Sequence, residues 1–330
     1  QLLATIVLWT ASAYLINKGK AHWMCSLPAS FLTFVCVSYF IMAPYKNGGL
    51  HIHRKTILLV AACLVGMLAS AQIFQVTSVQ ELKGASYQDA RVAGISPNGD
   101  YVLMTNGSNQ GLKRYDIATG EMSIITNAEG AGFNVQVSPD GNELVYRERF
   151  TAENKCRYNN IMHKNFVSKK TVTIASKQAN HDMMVLPGSN IVLQNSECTM
   201  HVIKNGKRIK IAPQGNDVNY IWASLSPDKT KILYYVSEMG CYVCDTDGRN
   251  SRFIGWDCRA PQWYNNEIII SMNDKDDGHF TTASAIMAYT LDGKVQVLTS
   301  PDMIAMYPFA AEGIVVFSTL QGKTYLLTVK

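Results

Sequence analysis

Two cysteines with CxxC spacing are the first candidates for chemistry in this sequence. Cys241-Tyr242-Val243-Cys244 has the spelling used by zinc sites and redox-active dithiols. The surrounding residues are strand formers, and side chains i and i+3 of a strand point to opposite faces of the sheet. A four-thiolate zinc site would need a second CxxC, which the sequence lacks. We therefore expect this pair to be structural.

The remaining cysteines leave alternatives open. Cys156, Cys198 and Cys258 complete an odd set of five in the C-terminal part, so that part would keep at least one free thiol if oxidised. One member of the CxxC could pair with Cys258 or Cys198, and a metal or redox role is a further alternative. Three more cysteines lie in apolar segments and are expected to pack there: Cys25, Cys36 and Cys63.

A run of acidic residues has the outline of a calcium loop. In Asn273-Asp274-Lys275-Asp276-Asp277-Gly278 the ligands before the glycine would be Asn273, Lys275 and Asp277. Lys275 places a positive charge where an oxygen ligand is needed. A solvated loop is therefore the expected structure.

Other catalytic signatures are missing. The sequence has no G-x-S-x-G nucleophile elbow, no P-loop and no dinucleotide fingerprint. The histidines of the C-terminal part do not have metal-ligand spacing: they are His163, His181, His201 and His279. We predict no catalytic residue, no cofactor and no metal site, and the prediction about enzymatic activity stays open.

Five aromatic residues cluster in one region and could anchor a ligand. They are Tyr220, Trp222, Trp256, Trp263 and Tyr264. Aromatic residues at such positions commonly pack in the core. Any that face an opening of the fold would be natural anchors for a protein partner or a sugar.

A repeated turn defines the elements that would position these side chains. Three clear copies of this turn each lead into an apolar, β-rich run. They are Ser96-Pro97-Asn98-Gly99, Ser138-Pro139-Asp140-Gly141 and Ser226-Pro227-Asp228-Lys229. Weaker copies bring the number to six, with prolines at Pro97, Pro139, Pro187, Pro227, Pro261 and Pro308. Six units of this length predict an all-β, six-bladed β-propeller over residues 72–330, with these prolines at equivalent blade turns.

These units resemble the WD40-like propeller repeat of the TolB type, which has a Ser-Pro-Asp-Gly turn, a strand, and an aromatic-Val-x-Asp strand followed by Asp-Gly. Cys241-Tyr242-Val243-Cys244-Asp245 and Asp247-Gly248 fit the second half of that pattern. The resemblance implies a channel mouth that binds peptides or protein partners. Some six- and seven-bladed relatives instead hold a metal on channel histidines and cleave polysaccharide.

The last unit is one strand short at the C-terminus. Thr324-Tyr325-Leu326-Leu327-Thr328-Val329 is followed by a single lysine. An unpaired outer edge would invite aggregation. The strand-like segment Ile73–Val79 precedes the first unit, and we predict that it supplies the missing outer strand.

The first 71 residues differ in composition from the rest. All 25 Asp and Glu residues follow residue 71, together with 25 of the 30 Lys and Arg residues, so the net charge of +5 belongs to the N-terminal part. A neutral propeller does not fit nucleic-acid binding. Apolar runs over residues 2–16 and 23–44 predict two membrane helices within residues 1–50.

Residues 51–71 combine His53-Arg54-Lys55, an apolar run and Ala69-Ser70-Ala71. This is a signal-peptide pattern with predicted cleavage after Ala71, or a third membrane helix.

The segment Gln1–Ala43, including Ser26-Leu27-Pro28-Ala29-Ser30-Phe31, resembles the end of the carbon starvation protein A (CstA) family, which are inner-membrane peptide or pyruvate transporters. That resemblance covers about two helices and suggests that two polypeptides have been joined.

Together these features predict a non-catalytic protein- or peptide-binding propeller. Residues 1–71 would associate with the membrane, and the propeller would lie at the periplasmic face of the inner membrane or free in the periplasm after cleavage. Two alternatives remain: a propeller-based carbohydrate lyase or hydrolase, and a transporter fragment fused to a propeller.

Overall fold

Six antiparallel sheets form the part of the chain that the computed structural model describes, residues 72–178 and 185–330. Each sheet is one blade, and successive blades come from successive stretches of sequence. Five blades have four strands, and in blade 3 three strands lie within the described residues. The fold is therefore an all-β, six-bladed propeller, as predicted.

The strands are β1 (Val76–Glu81); in blade 1, β2 (Ala90–Ile95), β3 (Tyr101–Asn106), β4 (Leu112–Asp116) and β5 (Met122–Thr126); in blade 2, β6 (Gln136–Val137), β7 (Glu143–Thr151), β8 (Arg157–Asn165) and β9 (Thr171–Gln178); in blade 3, β10 (Ile191–Ser196), β11 (Thr199–Lys204) and β12 (Lys207–Ile211); in blade 4, β13 (Tyr220–Leu225), β14 (Lys231–Val236), β15 (Gly240–Asp245) and β16 (Arg252–Gly255); in blade 5, β17 (Arg259–Trp263), β18 (Ile268–Asp276), β19 (Thr281–Thr290) and β20 (Val295–Val297); in blade 6, β21 (Ala305–Ala311), β22 (Ile314–Thr319) and β23 (Thr324–Val329). Two short 3-10 helices span Lys83–Ala85 and Pro301–Met303.

The repeated turn is held by its serine. The buried Ser226 hydroxyl donates to Oδ1 of Asp228 at 2.6 Å and accepts the backbone N–H of Lys231 at 2.9 Å. Ser138 repeats both contacts with Asp140 and Glu143, at 2.5 and 2.8 Å. The side chain thus closes the turn between the first and second strands of a blade and starts the second strand in register.

Four of the six repeat prolines lie where the sequence predicted. Pro97, Pro139 and Pro227 are in the turns that precede β3, β7 and β14, and Pro187 lies in the turn that precedes β10. The prediction of six equivalent turn prolines was wrong for the other two, because Pro261 lies within β17 and Pro308 within β21.

Both of these prolines occupy a β-bulge of an innermost strand. The register shifts between Arg259 and Gln262, and again between Met306 and Phe309. Proline has no N–H to donate, so a strand tolerates it at a bulge or at an edge. A turn also tolerates the missing N–H and uses the fixed φ of proline, which is why the sequence pattern did not separate the two kinds of site.

The ring closes through the segment before the first blade. β1 pairs antiparallel with β23, so blade 6 has the order β21–β22–β23–β1 from the inside outward. Gln75 and Lys330 exchange backbone hydrogen bonds of 2.9 and 3.0 Å beyond the ladder. The predicted closure is confirmed, with the strand at Val76–Glu81.

Apolar clusters between neighbouring blades form the core. One cluster joins blades 6 and 1 through Leu326, Val316 and Val102, and so completes the ring. The largest cluster lies between blades 5 and 6 and includes Phe317 and Ile286, both fully buried. Blade 6 is therefore buried on two faces, one packed against blade 5 and the other against blade 1.

The predictions for residues 1–71 concern a segment outside the described residues. They include the membrane helices, the carbon starvation protein resemblance and cleavage after Ala71. Residues 72–178 and 185–330 contain no helix with the length and apolar character of a membrane span.

Candidate functional site

Three consecutive blades share an unusual bulge in their innermost strands. Trp222 in blade 4, Ala260 in blade 5 and Tyr307 in blade 6 have φ values of 53°, 45° and 50°. Each lies at the register shift of its strand, between two paired residues. A left-handed backbone is strained for residues other than glycine, at roughly 1–3 kcal/mol each. Because the same strained bulge recurs in blades 4, 5 and 6, the surface formed by these bulges is a candidate functional site.

The bulges lie near one end of the central channel. The first residues of β13 and β21 pair with the last residues of β14 and β22, next to the turns that lead into the third strand of each blade. In blade 5, Arg259 at the start of β17 pairs with Met272, and the β18–β19 ladder continues beyond that pair toward the same kind of turn. We call this end the channel mouth. Two of the three bulged residues, Trp222 and Tyr307, line a cleft there of about 400 Å³.

The mouth cleft combines aromatic, thioether and charged side chains from three blades. Its lining is Trp222 from blade 4, Arg259, Met272, Asp274, Asp276, Gly278, His279, Phe280 and Thr281 from blade 5, and Met306 and Tyr307 from blade 6. Phe280 is 74% exposed and Trp222 is 36% exposed. Large exposed aromatic side chains beside a cleft are typical of binding sites.

An ion pair forms the floor of the mouth cleft. Arg259 donates from Nη1 to Oδ2 of Asp274 at 3.0 Å, and its guanidinium lies over the Trp222 ring at 6.0 Å from the centroid. The Asp274 side chain is only 8% exposed, and that of Arg259 is 42% exposed. Trp222 also packs edge-on against Tyr235 at 5.3 Å, and burial raises the pKa of Tyr235. These contacts fix the indole and the carboxylate relative to each other.

Two long hairpins project at the channel mouth. β18 and β19 of blade 5 have nine and ten residues, and β7 and β8 of blade 2 have nine each. Blades 2 and 5 stand three places apart in a ring of six, so these hairpins lie on opposite sides of the ring. The blade 5 hairpin carries Phe280 at its tip.

The blade 2 hairpin has its own partly buried cation. Arg147 stacks over the Phe133 ring at 4.4 Å and donates from Nε to the Gly130 carbonyl at 3.2 Å. Burial, with the neighbouring Arg149 as a smaller cause, lowers the pKa of Arg147 to about 10. Arg149 in turn contacts Glu129 at 3.6 Å.

The structure separates the five aromatic candidates that the sequence put together. Trp222 lines the mouth cleft. Tyr220 is buried and its hydroxyl donates to the Gly215 carbonyl at 2.8 Å, and Trp263 is buried between blades 4 and 5. Tyr264 packs edge-on against Phe74 at 4.7 Å. Trp256 is 48% exposed but packs on Phe253, beside the outermost strand of blade 4.

The CxxC cysteines point to opposite faces of blade 4, as predicted. Cys241 packs with Cys258 in the cluster between blades 4 and 5, whereas Cys244 packs in the cluster between blades 3 and 4. Burial raises the pKa of the Cys244 thiol to about 12, and it raises that of Cys241 well above its usual value. Cys156 and Cys198 are exposed, and all five described cysteines are free thiols.

The acidic run resembling a calcium loop forms the end of the blade 5 hairpin. Asp277 uses Oδ1 to accept the backbone N–H groups of His279 and Phe280, at 2.9 and 2.8 Å, and these bonds lower its pKa. Asp276 accepts from Gly278 at 3.0 Å. The carboxylates thus shape the turn that presents Phe280.

The histidines are distributed over separate blades. His163 lies 3.3 Å from Glu143 in blade 2, His201 contacts Arg208 in blade 3, and His279 lines the mouth cleft. His181 lies outside the described residues. Within residues 72–178 and 185–330 no three His, Cys, Asp or Glu side chains are grouped closely enough to hold a metal ion.

The sequence did not single out most of the cleft. The spacing of residues within a strand or hairpin does not indicate which side chains face the channel. This applies to four residues of the cleft: Arg259, Asp274, Phe280 and Tyr307. One signal was present: in Tyr307-Pro308 and Ala260-Pro261 a proline follows an apolar residue, and a proline near a strand fits a bulge as well as the turn that was predicted.

No family model matches the chain. An uncharacterized protein of Haemophilus influenzae is 53% identical over 36 residues, which are 11% of this chain and 26% of that protein. Among solved structures, TolB from Acinetobacter baumannii has a TM-score of 0.48 at 12% identity, over 67% of this chain and 57% of that chain. A candidate TolB from Agrobacterium tumefaciens has a TM-score of 0.49 at 11% identity, over 76% of this chain and 96% of that chain. The assignment as a six-bladed propeller rests on the strand pairing of this chain.

Proposed function

We propose that this protein is a non-catalytic binding module whose channel mouth captures a peptide segment of a protein partner. The observation that supports this most strongly is the set of three bulges, which directs Trp222 and Tyr307 toward one cleft at the cost of local backbone strain. Such strain persists only where the surrounding structure enforces it, and the six-bladed ring supplies that support.

The dimensions and lining of the mouth cleft suit a peptide. Apolar contacts are available on Met272, Met306 and Phe280, and polar contacts on Arg259 and Asp276. Methionine adapts its shape to different side chains, and aromatic residues provide much of the binding free energy in protein interfaces. The two projecting hairpins would confine a bound segment on opposite sides.

We also propose that the propeller is exported, either anchored by residues 1–71 or released by cleavage after Ala71. Support comes from the signal-peptide pattern of residues 51–71 in the sequence. N-terminal sequencing of the protein isolated from its native host tests this. A mature protein beginning at Gln72 is expected for the cleaved form, and a cytoplasmic protein retaining residue 1 would contradict export.

The binding proposal is tested by selecting phage-displayed random peptides on the full chain. Selected peptides are then measured against Phe280→Ala and against Trp256→Ala, which removes an exposed aromatic side chain outside the cleft. We expect the Phe280 variant to bind about tenfold more weakly and the Trp256 variant to bind like the wild type. Failure to select any binding peptide, or an equal loss in both variants, would contradict the proposal.

A further inference from the structure

One oxygen at the floor of the mouth cleft lacks a hydrogen-bond donor. Oδ2 of Asp274 accepts from Arg259, but Oδ1 is buried and has no partner among the described residues. A buried acceptor left unpaired is destabilising, and more so when it is charged, because it has lost its contacts with water. Asp274 lines the mouth cleft although Oδ1 itself is covered, so a ligand that displaces the covering side chains can supply the missing donor.

Aromatic rings line the same cleft and can also receive a cation. Trp222, Phe280 and Tyr307 all line the mouth cleft. Two of these rings already have cations of the protein over them: Arg259 is 6.0 Å from the Trp222 centroid, and Arg91 is 5.0 Å from the Tyr307 centroid. The face of an aromatic ring attracts a cation, and tryptophan does so most strongly.

The charged residues of the mouth cleft favour the same kind of ligand. Asp274 and Asp276 contribute two negative charges, and Arg259 contributes one positive charge that is already paired with Asp274. An anionic ligand group would meet the unpaired oxygen of Asp274 and be repelled. A ligand with positive N–H donors would satisfy that oxygen and stack on the rings.

We propose that the mouth cleft binds a basic side chain, arginine or lysine, of the partner peptide. This inference rests on the proposed peptide-binding function and specifies its chemistry. Arginine suits the site better than lysine, because its planar guanidinium can donate to Oδ1 of Asp274 while it stacks on Trp222 or Phe280.

The test uses the full chain and peptides that differ at one residue. A cleft-binding peptide from the phage selection is synthesised with arginine, lysine, citrulline or glutamate at its central position. Citrulline keeps the shape of arginine without the charge. We expect arginine to bind roughly tenfold more tightly than citrulline, with glutamate the weakest. The arginine advantage should decrease as salt concentration rises, because a charge interaction is screened.

Two variants test whether the Asp274 carboxylate causes the preference for arginine over citrulline. Asp274→Asn should abolish the difference between arginine and citrulline. Asp292→Asn removes one negative charge from the turn between β19 and β20, outside the mouth cleft, and should preserve the difference. If thermal unfolding shows that Asp274→Asn is misfolded, Asp276→Asn at the exposed rim is used instead and should reduce the difference by about two- to threefold.

The outcomes separate this inference from the function on which it rests. Peptides that depend on Phe280 but bind equally with arginine and citrulline would overturn the basic-side-chain proposal and leave the binding function intact. A preference that Asp292→Asn removes as strongly as Asp274→Asn would overturn the assignment to the mouth cleft. If no peptide binds, both proposals fail.

Discussion

A lysine occupies a position in the repeated turn that glycine fills elsewhere. Lys229 has a φ of 60°, whereas Gly99 and Gly141 at the equivalent position have 74° and 73°. A left-handed backbone costs a non-glycine residue roughly 1–2 kcal/mol, and glycine loses about 0.5–1 kcal/mol more conformational entropy on folding. Lys229 therefore makes the turn of blade 4 less stable than glycine would at the same position.

We expect Lys229→Gly to raise the free energy of unfolding by about 0.5 kcal/mol and the melting temperature by about 1–2 °C. Thermal unfolding followed by circular dichroism measures this. The reverse substitution Gly141→Lys provides the comparison and should lower the melting temperature. A lower melting temperature for Lys229→Gly would show that its side chain stabilises the turn by another route.

The cysteines should differ in reactivity according to burial. Cys241 and Cys244 are buried with raised thiol pKa values, and Cys156 and Cys198 are exposed. Because the thiolate is the nucleophile, raised pKa values and burial both slow alkylation. We predict fast iodoacetamide labelling of Cys156 and Cys198 and slow labelling of Cys241 and Cys244 at neutral pH, measured peptide by peptide by mass spectrometry. Equal rates in the folded protein would contradict the burial.

Among the elements, β1 connects the start of the propeller to its end. The segment before it is held by one side chain of blade 5, since Oε1 of Gln296 accepts the backbone N–H groups of Ile73 and Phe74 at 2.7 and 2.8 Å. Nε2 of Gln296 donates to the Phe74 carbonyl at 2.8 Å. Gln296 thus positions the chain for its pairing with β23.

Gln296→Ala should destabilise the protein by about 2 kcal/mol, because two backbone N–H groups lose their acceptor. The melting temperature should fall by roughly 4–8 °C, and amide exchange at residues 73–81 should accelerate. Gln136→Ala is the control, because the Gln136 amide contacts only Asn134 nearby in the chain. A loss of stability equal to that of the control would mean that Gln296 does not secure the closing strand.

The strands were predictable from the sequence because their determinants are local. The Ser-Pro-Asp turn, the apolar run and the Asp-Gly hairpin lie within one unit and recur. In blade 4 the turn at Pro227 precedes β14, and Asp247-Gly248 follows β15, as the repeat pattern predicted. The outer strand β1 was predictable because an unpaired edge is unfavourable. Pro261 and Pro308 were misplaced because turns and bulges both tolerate a residue without an N–H.

The candidate site was less predictable because three blades build it. Asp274 belongs to the acidic run that was predicted to be a solvated loop, whereas the structure places it in strand β18. Phe280 follows that run, and neither Phe280 nor Tyr307 was predicted to be a site residue. Trp222 was singled out with four other aromatic residues, and only the fold separates it from the buried Tyr220 and Trp263. Distance along the chain says little about which side chains meet at a channel mouth.

At the scale of the whole molecule, the propeller is a closed ring with two different ends. The channel mouth has the long hairpins of blades 2 and 5 and the bulged strands of blades 4, 5 and 6. The other end has the short Ser-Pro turns, which are fixed by their own side chains. Binding should therefore protect the mouth and leave the turn end unchanged.

Hydrogen–deuterium exchange of the full chain, with and without a selected peptide at saturation, tests this central claim most directly. We predict slower exchange in residues 220–223, 273–281 and 305–308, which form the mouth cleft, and unchanged exchange in the turns at 96–99, 138–141 and 226–229. Protection of the Ser-Pro turns or of the outer strands β5 and β9, without protection of residues 273–281, would contradict a binding site at the channel mouth.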